Sequence, residues 1–211
     1  MKHFKDEDPI IFGYAREVLP TITYLNLQKK DLKTLPSWIR LAKNLEVLYL
    51  TDNQLSTLPE WIGELTQLKR LFMAGNQLCD LPESMHQLTQ LTELGLCGNH
   101  LKQLPTWIST LPSLEELDIS DNQLVSLPEN IGDYSTLEVL YLSGNQLTDI
   151  PLSFKKLKHL STLDLRSNQF TQLPAWLFTL HPTMSVNYQN KYKWNAISVY
   201  GNPGKFKKRG G

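Results

Sequence analysis

The chain has 211 residues, 41% of them hydrophobic, which supplies a buried core and excludes a disordered chain. Lys plus Arg and Asp plus Glu both number 21, and this formal neutrality argues against nucleic acid or an anionic membrane as a partner of the whole molecule. The balance is uneven, because no acid follows Asp164, and Arg166, Lys191, Lys193, Lys205, Lys207, Lys208 and Arg209 give residues 165–211 a formal charge of +7.

Met1 to Pro9 carry acids where a secretory leader needs an apolar stretch, and no apolar run reaches the length of a membrane span. Only Cys79 and Cys97 are present, neither in a C-x-x-C pair, which suits a reducing compartment. The expected location is the cytoplasm, with delivery into a host cell as the route open to a bacterial effector. Asp8 and Pro9 predict the N-cap and first turn of a capping helix through Ile10, Ile11, Phe12, Tyr14, Ala15 and Val18, and residues 1–20 are assigned to that cap.

From there the chain repeats. Asn53, Asn76, Asn99, Asn122, Asn145 and Asn168 recur every 23 residues, and the apolar positions around them recur with them. Leu45, Leu48 and Leu50 precede Asn53, and Leu55, Leu58, Pro59, Ile62 and Leu65 follow it. The unit is L-x-x-L-x-L-x-x-N-x-L-x-x-L-P-x-x-I-x-x-L-x-x. Its L-x-L segment has the period of a strand with one face inward, whereas L-P-x-x-I-x-x-L has a spacing near three. So short a unit closes no core alone, and its leucines must stack on those of the next coil. Strands then line up in parallel about 4.8 Å apart, and the bulkier opposite side bends the stack so that the sheet is concave. Each Asn lies between inward-facing leucines, where a carboxamide can both donate to and accept from backbone groups left unpaired at the turn. This predicts a buried ladder.

These residues resemble the leucine-rich repeats, and specifically their 23-residue class with L-P-x-x-I-G-x-L linkers found in Ras-binding scaffold proteins and bacterial proteins. Glu60-Trp61-Ile62-Gly63-Glu64-Leu65 and Glu129-Asn130-Ile131-Gly132 match that linker closely. The resemblance covers about residues 21 to 180 and implies an α/β class. The expected fold is a right-handed, horseshoe-shaped leucine-rich-repeat solenoid with a parallel concave sheet and a helical or irregular convex side. It also implies protein binding, in some relatives as the targeting arm of a ubiquitin ligase or a Roco-type GTPase. No G-x-x-x-x-G-K-[ST] loop occurs in this sequence.

The repeats are assigned to residues 21–182, a C-terminal cap to 183–203 and a basic tail to 204–211. Lys30 stands where the first coil would carry its Asn. At the other end Val186 and Tyr188 continue the strand register with Lys191 in the ladder position; alternatively Ile197, Val199 and Asn202 make the last strand after an insertion of about eleven residues. Pairing of both segments at the terminus is the favoured expectation.

Residues between and beside the inward leucines point into the concave groove. The candidate partner-binding residues there are Val47, Tyr49, Arg70, Phe72, Glu93, Gly95, Cys97, Glu116, Asp118, Asp121, Tyr141, Asp164 and Arg166. Tyr49 and Phe72 are the expected anchors, since stacking the coils puts no demand on outward aromatics. Gly95 and Asp118 separate them from Tyr141, so the row dips. Glu93, Glu116, Asp118, Asp121 and Asp164 form an acidic stretch interrupted by Arg166. The matching partner is a protein with a basic segment beside an apolar side chain. The plainer readings are a solvated charged face and ordinary strand composition. Trp38, Trp61, Trp107 and Trp176 share one convex position and read as coil-to-coil packing, with a second interaction surface as the alternative.

Catalysis finds no support in the sequence. His3, His86, His100, His159 and His181 take different repeat positions without metal-ligand spacing, and Cys97 has no His in its own strand or the adjacent ones. Neither a catalytic residue, a metal nor a cofactor is expected. The expected function is that of a non-catalytic, monomeric protein-binding module, an adaptor or bacterial effector. The alternatives are the targeting domain of a larger enzyme and a surface receptor for a ligand or glycan.

Overall fold

Alternation in the L-x-L segment buries one side of every strand, and the 23-residue period places the next strand beside it. In the computed structural model, which describes residues 16–180, 185–187 and 196–204, β1 is Tyr24–Asn26, β2 Val47–Tyr49, β3 Arg70–Phe72 and β4 Glu93–Gly95. β5 is Glu116–Asp118, β6 Val139–Tyr141, β7 Thr162–Asp164, β8 Ser185–Asn187 and β9 Ala196–Ser198. Among the described residues they form one parallel sheet in the order β1-β2-β3-β4-β5-β6-β7-β9-β8. From β1 to β7 the register advances by one repeat per strand, so that Leu25, Leu48, Leu71, Leu94, Leu117, Leu140 and Leu163 stand side by side. None of these leucines is more than 1% exposed, and each such side chain contributes about 2 kcal/mol of burial.

The far side of each coil is a five-residue 3-10 turn: Ser37–Leu41, Glu60–Glu64, Glu83–Gln87, Thr106–Thr110, Glu129–Asp133, Leu152–Lys156 and Ala175–Thr179. A proline precedes each one in an extended conformation, and its carbonyl accepts the first turn bond, as in Ile62 N–H to Pro59 O at 3.0 Å. Pro needs no donor there, and a tight 3-10 turn spans more length per residue than an α turn. Trp38 is buried, and Trp61, Trp107 and Trp176 lie half-buried against the core, which is the packing role expected from their shared position.

The asparagines form the buried ladder. Asn99 donates through Nδ2 to Leu96 O at 2.9 Å and Met73 O at 3.0 Å, and its Oδ1 accepts from Leu78 N at 3.0 Å. Asn53, Asn76, Asn122, Asn145 and Asn168 repeat the pattern. Each therefore satisfies a turn in its own coil and another in the coil before it.

At the C-terminal end both expected segments pair, in an order the sequence left open. β9 lies against β7, with Ile197 beside Leu163, and β8 takes the outer edge. The ladder decides this. Asn202 Nδ2 donates to Leu165 O at 2.7 Å and Val199 O at 2.9 Å, and its Oδ1 accepts from Phe170 N at 3.1 Å. Lys191 lies outside the described residues, and a lysine side chain carries no acceptor. At the N-terminal end Arg16–Thr21 form a 3-10 turn that buries Leu19 under the first coil. The start of the expected capping helix, residues 8–15, lies outside the described residues, as do 205–211 of the basic tail.

Candidate functional site

The outward side chains of the sheet fall into rows because the register never slips. One row runs Tyr24, Val47, Arg70, Glu93, Glu116, Val139 and Thr162, and the next runs Asn26, Tyr49, Phe72, Gly95, Asp118, Tyr141 and Asp164. Tyr49 and Phe72 stack with centroids 4.8 Å apart and planes 21° apart, and Tyr24 tilts onto Tyr49 from the neighbouring row at 5.6 Å. Tyr24 was not among the residues singled out, yet its diagonal relation to Tyr49 follows from the register alone. Val47 and Val139 are buried beneath their neighbours, while Arg70 is exposed and Tyr141 half-buried.

The dip at Gly95 is occupied in part from within. A Cβ there would sit 3.0 Å from Phe72 Cδ1, so the absent side chain is what lets the Phe72 ring lean over β4. Beyond the ring lies a depression of about 190 Å³ lined by Tyr49, Phe72, Glu93, Gly95, Glu116 and Asp118, with Gln28, Thr51, Ala74 and Leu94 completing it.

The acids divide into two groups. Asp164 is buried and held by Arg166 in a fork, Nη2 to Oδ2 at 2.6 Å and Nε to Oδ1 at 2.8 Å, so its charge is answered inside the fold. Glu93, Glu116 and Asp118 have no ion-pair partner among the described residues. Burial pushes the carboxyl of Glu116 above its ordinary value, with Glu93 and Asp118 adding to the rise. Burial likewise raises Asp118, against the pull of hydrogen bonds from Ser120, whose N–H reaches Asp118 Oδ1 at 2.9 Å.

Asp121 sits in a different kind of position. With Lys29, Asp52, Gly75, Gly98, Gly144 and Ser167 it forms the column just before the ladder residue, where every backbone is left-handed with φ between 52° and 68°. Gly and Asp recur there because they tolerate that conformation, a backbone reason apart from binding. Asp121 also touches Cys97, with Sγ 3.7 Å from Oδ2. Burial first, then the charges of Asp118 and Asp121, pushes the Cys97 thiol up to about 12, which keeps it protonated at neutral pH. Among the described residues no cluster of three His, Cys, Asp or Glu could hold a metal, and no helix is long and apolar enough to cross a membrane.

Comparison with known proteins agrees with this architecture. The family model described as leucine rich repeat matches residues 89–147, and that described as leucine rich repeats in two copies matches residues 43–84 and 135–177. No curated protein matches the sequence. Among solved structures 420 chains match, so the fold is widely shared and names no target by itself. A leucine-rich-repeat protein of Leptospira interrogans is similar over 97% of this chain and 67% of its own, with a TM-score of 0.68 and 25% sequence identity.

Proposed function

The chain belongs to the leucine-rich-repeat family, and from that premise we propose that it binds another protein across its concave sheet, as an adaptor or as a bacterial effector acting on a host protein. Leucine-rich-repeat domains generally mediate protein–protein interaction and are typically non-catalytic.

The observation that carries the reading is the aromatic group Tyr24, Tyr49 and Phe72, set on the outward face of a rigid sheet beside carboxylates without a cation. The leucines on the inner face already hold the coils together, so stability places no demand for aromatics outside; Tyr24 is exposed, Tyr49 and Phe72 are half-buried, and aromatics presented on a rigid support are the usual anchors of an interface. The partner that complements this face presents a basic segment beside an apolar side chain. Cys79 and Cys97 are both free thiols, which supports a cytoplasmic setting, in the producing cell or in a host.

Affinity capture with mass spectrometry tests the reading by comparing the native chain with a Tyr49→Ala, Phe72→Ala double variant of unchanged melting temperature. A partner retained by the first and lost by the second is expected; equal capture by both would move the site off the concave face.

A further inference from the structure

The row that carries Tyr49 and Phe72 is a stack with one rung missing. Strands repeat about every 4.8 Å, and the Tyr49 and Phe72 centroids are 4.8 Å apart, so the rings follow the sheet rung for rung. The next rung is Gly95, which has no side chain, and the one after it is Asp118. The Phe72 ring leans over Gly95 and covers part of that rung; what stays open is the part of the 190 Å³ depression bounded by Phe72, Gly95, Glu116 and Asp118. Glu93 and Glu116, adjacent in register, close the side of the gap.

We propose that this gap receives the guanidinium of a single arginine from the partner, stacked on Phe72 above Gly95 and bonded to Glu116 and Asp118. The inference rests on the concave face being the docking surface and names the side chain that enters it.

Three features select arginine. The space continues a stack of flat groups and so favours a planar occupant, and a guanidinium is the planar cation among side chains. It is attracted to the ring face and can bond in a fork to a carboxylate, whereas the compact, strongly hydrated ammonium of lysine does not stack. A neutral aromatic would fill the rung and leave Glu116 and Asp118 further desolvated without a counter-charge. The chain does not supply the cation from the neighbouring coils: Arg166 is committed to Asp164, and Arg70 makes no ion pair with these carboxylates.

Titration with N-acetyl-arginine amide, followed by backbone and aromatic NMR shifts of the full chain, tests the proposal without knowledge of the partner. Saturable shifts centred on Gly95 and Phe72 are expected, with N-acetyl-lysine amide weaker by about fivefold or more. Glu116→Gln with Asp118→Asn should abolish the shifts, and so should Gly95→Leu, which fills the rung from within. Equal affinity for the two probes, or arginine shifts that persist in both variants, would overturn the assignment. A null titration combined with capture that still depends on Tyr49 and Phe72 removes the arginine and leaves the face. Equal capture by the double variant removes the face and the arginine's docking role with it.

Discussion

The turn that leaves the sheet and the turn that crosses the convex side belong to the same 23-residue unit, yet they are filled by opposite rules. At the first, Asn53, Asn76, Asn99, Asn122, Asn145, Asn168 and Asn202 carry one residue type in every coil after the first, where Lys30 stands. At the second, Trp38, Trp61, Ser84, Trp107, Asn130, Ser153 and Trp176 occupy one position with three side chains. The ladder turn sits where backbone hydrogen bonds fix the spacing between strands, so each coil stacked on a preceding one leaves the same groups unpaired and meets them with the same carboxamide. On the convex side no backbone ladder sets the spacing, and side chains set it gap by gap. Tryptophan packs against the core at four of these positions. Asn130 bridges one gap by donating to Thr106 O at 2.8 Å and Ser109 Oγ at 2.6 Å. Where Gly63 or Gly132 lies in the preceding turn, the coils close until the glycine meets the carbonyl of Ser84 or Ser153.

Breaking the close convex contacts should cost most. A Cβ at Gly132 or Gly63 would run into a backbone carbonyl oxygen, which cannot swing aside as a side-chain end can. Gly132→Ala and Gly63→Ala are each expected to lose about 3 kcal/mol in urea unfolding; a loss below about 0.5 kcal/mol, a typical surface substitution, would show that the convex spacing is soft. Asn99→Ala removes one acceptor and two donors inside the ladder and is expected to cost about 2 kcal/mol, and Asn122→Ala should match it, because the ladder sites are equivalent. Unequal costs at the two sites would break that equivalence.

Ser167→Gly acts on the ladder turn in the opposite direction. It relieves a left-handed residue with φ of 52° and should raise stability by about 0.5 kcal/mol, part of the gain being offset by the freer unfolded chain. A fall in melting temperature would mean that the Ser167 side chain matters more than its backbone.

The smallest effect concerns the carboxylates facing the groove. The folded chain holds the Glu116 proton more tightly than the unfolded chain does, first through burial and then through Glu93 and Asp118. Ionising it therefore removes stability as pH rises through the range above ordinary carboxylate values, and protonation restores stability as pH falls. Glu116→Gln should raise the melting temperature slightly at pH 7 and lose that advantage in acid. An advantage independent of pH would point to packing as its source.

How much of this was legible depended on whether the backbone or a side chain made the decision. The coil, the strand positions and the buried Asn ladder could be read from the period, because one repeated hydrogen-bonding requirement writes the same residue at the same place. The candidate groove residues could be placed in rows for the same reason. Their condition could not. That Arg166 already answers Asp164, that Phe72 leans over Gly95 and that Asp121 occupies a left-handed turn depend on rotamers and φ angles that no spacing records. The recurrence of Gly or Asp before each ladder Asn except Asn168, which follows Ser167, was the available signal for the last of these.

By itself the sequence determined a parallel solenoid with seven successive coils in register, since period and leucine spacing agree at every repeat and the Asn column at every one after the first. Only the tertiary structure decided which terminal segment continues the ladder, how closely each pair of coils approaches on the convex side, and which acids remain without a cation. Those outcomes depend on contacts between neighbouring coils that differ from one pair to the next, and a repeat, being the same in every coil, carries no record of the differences.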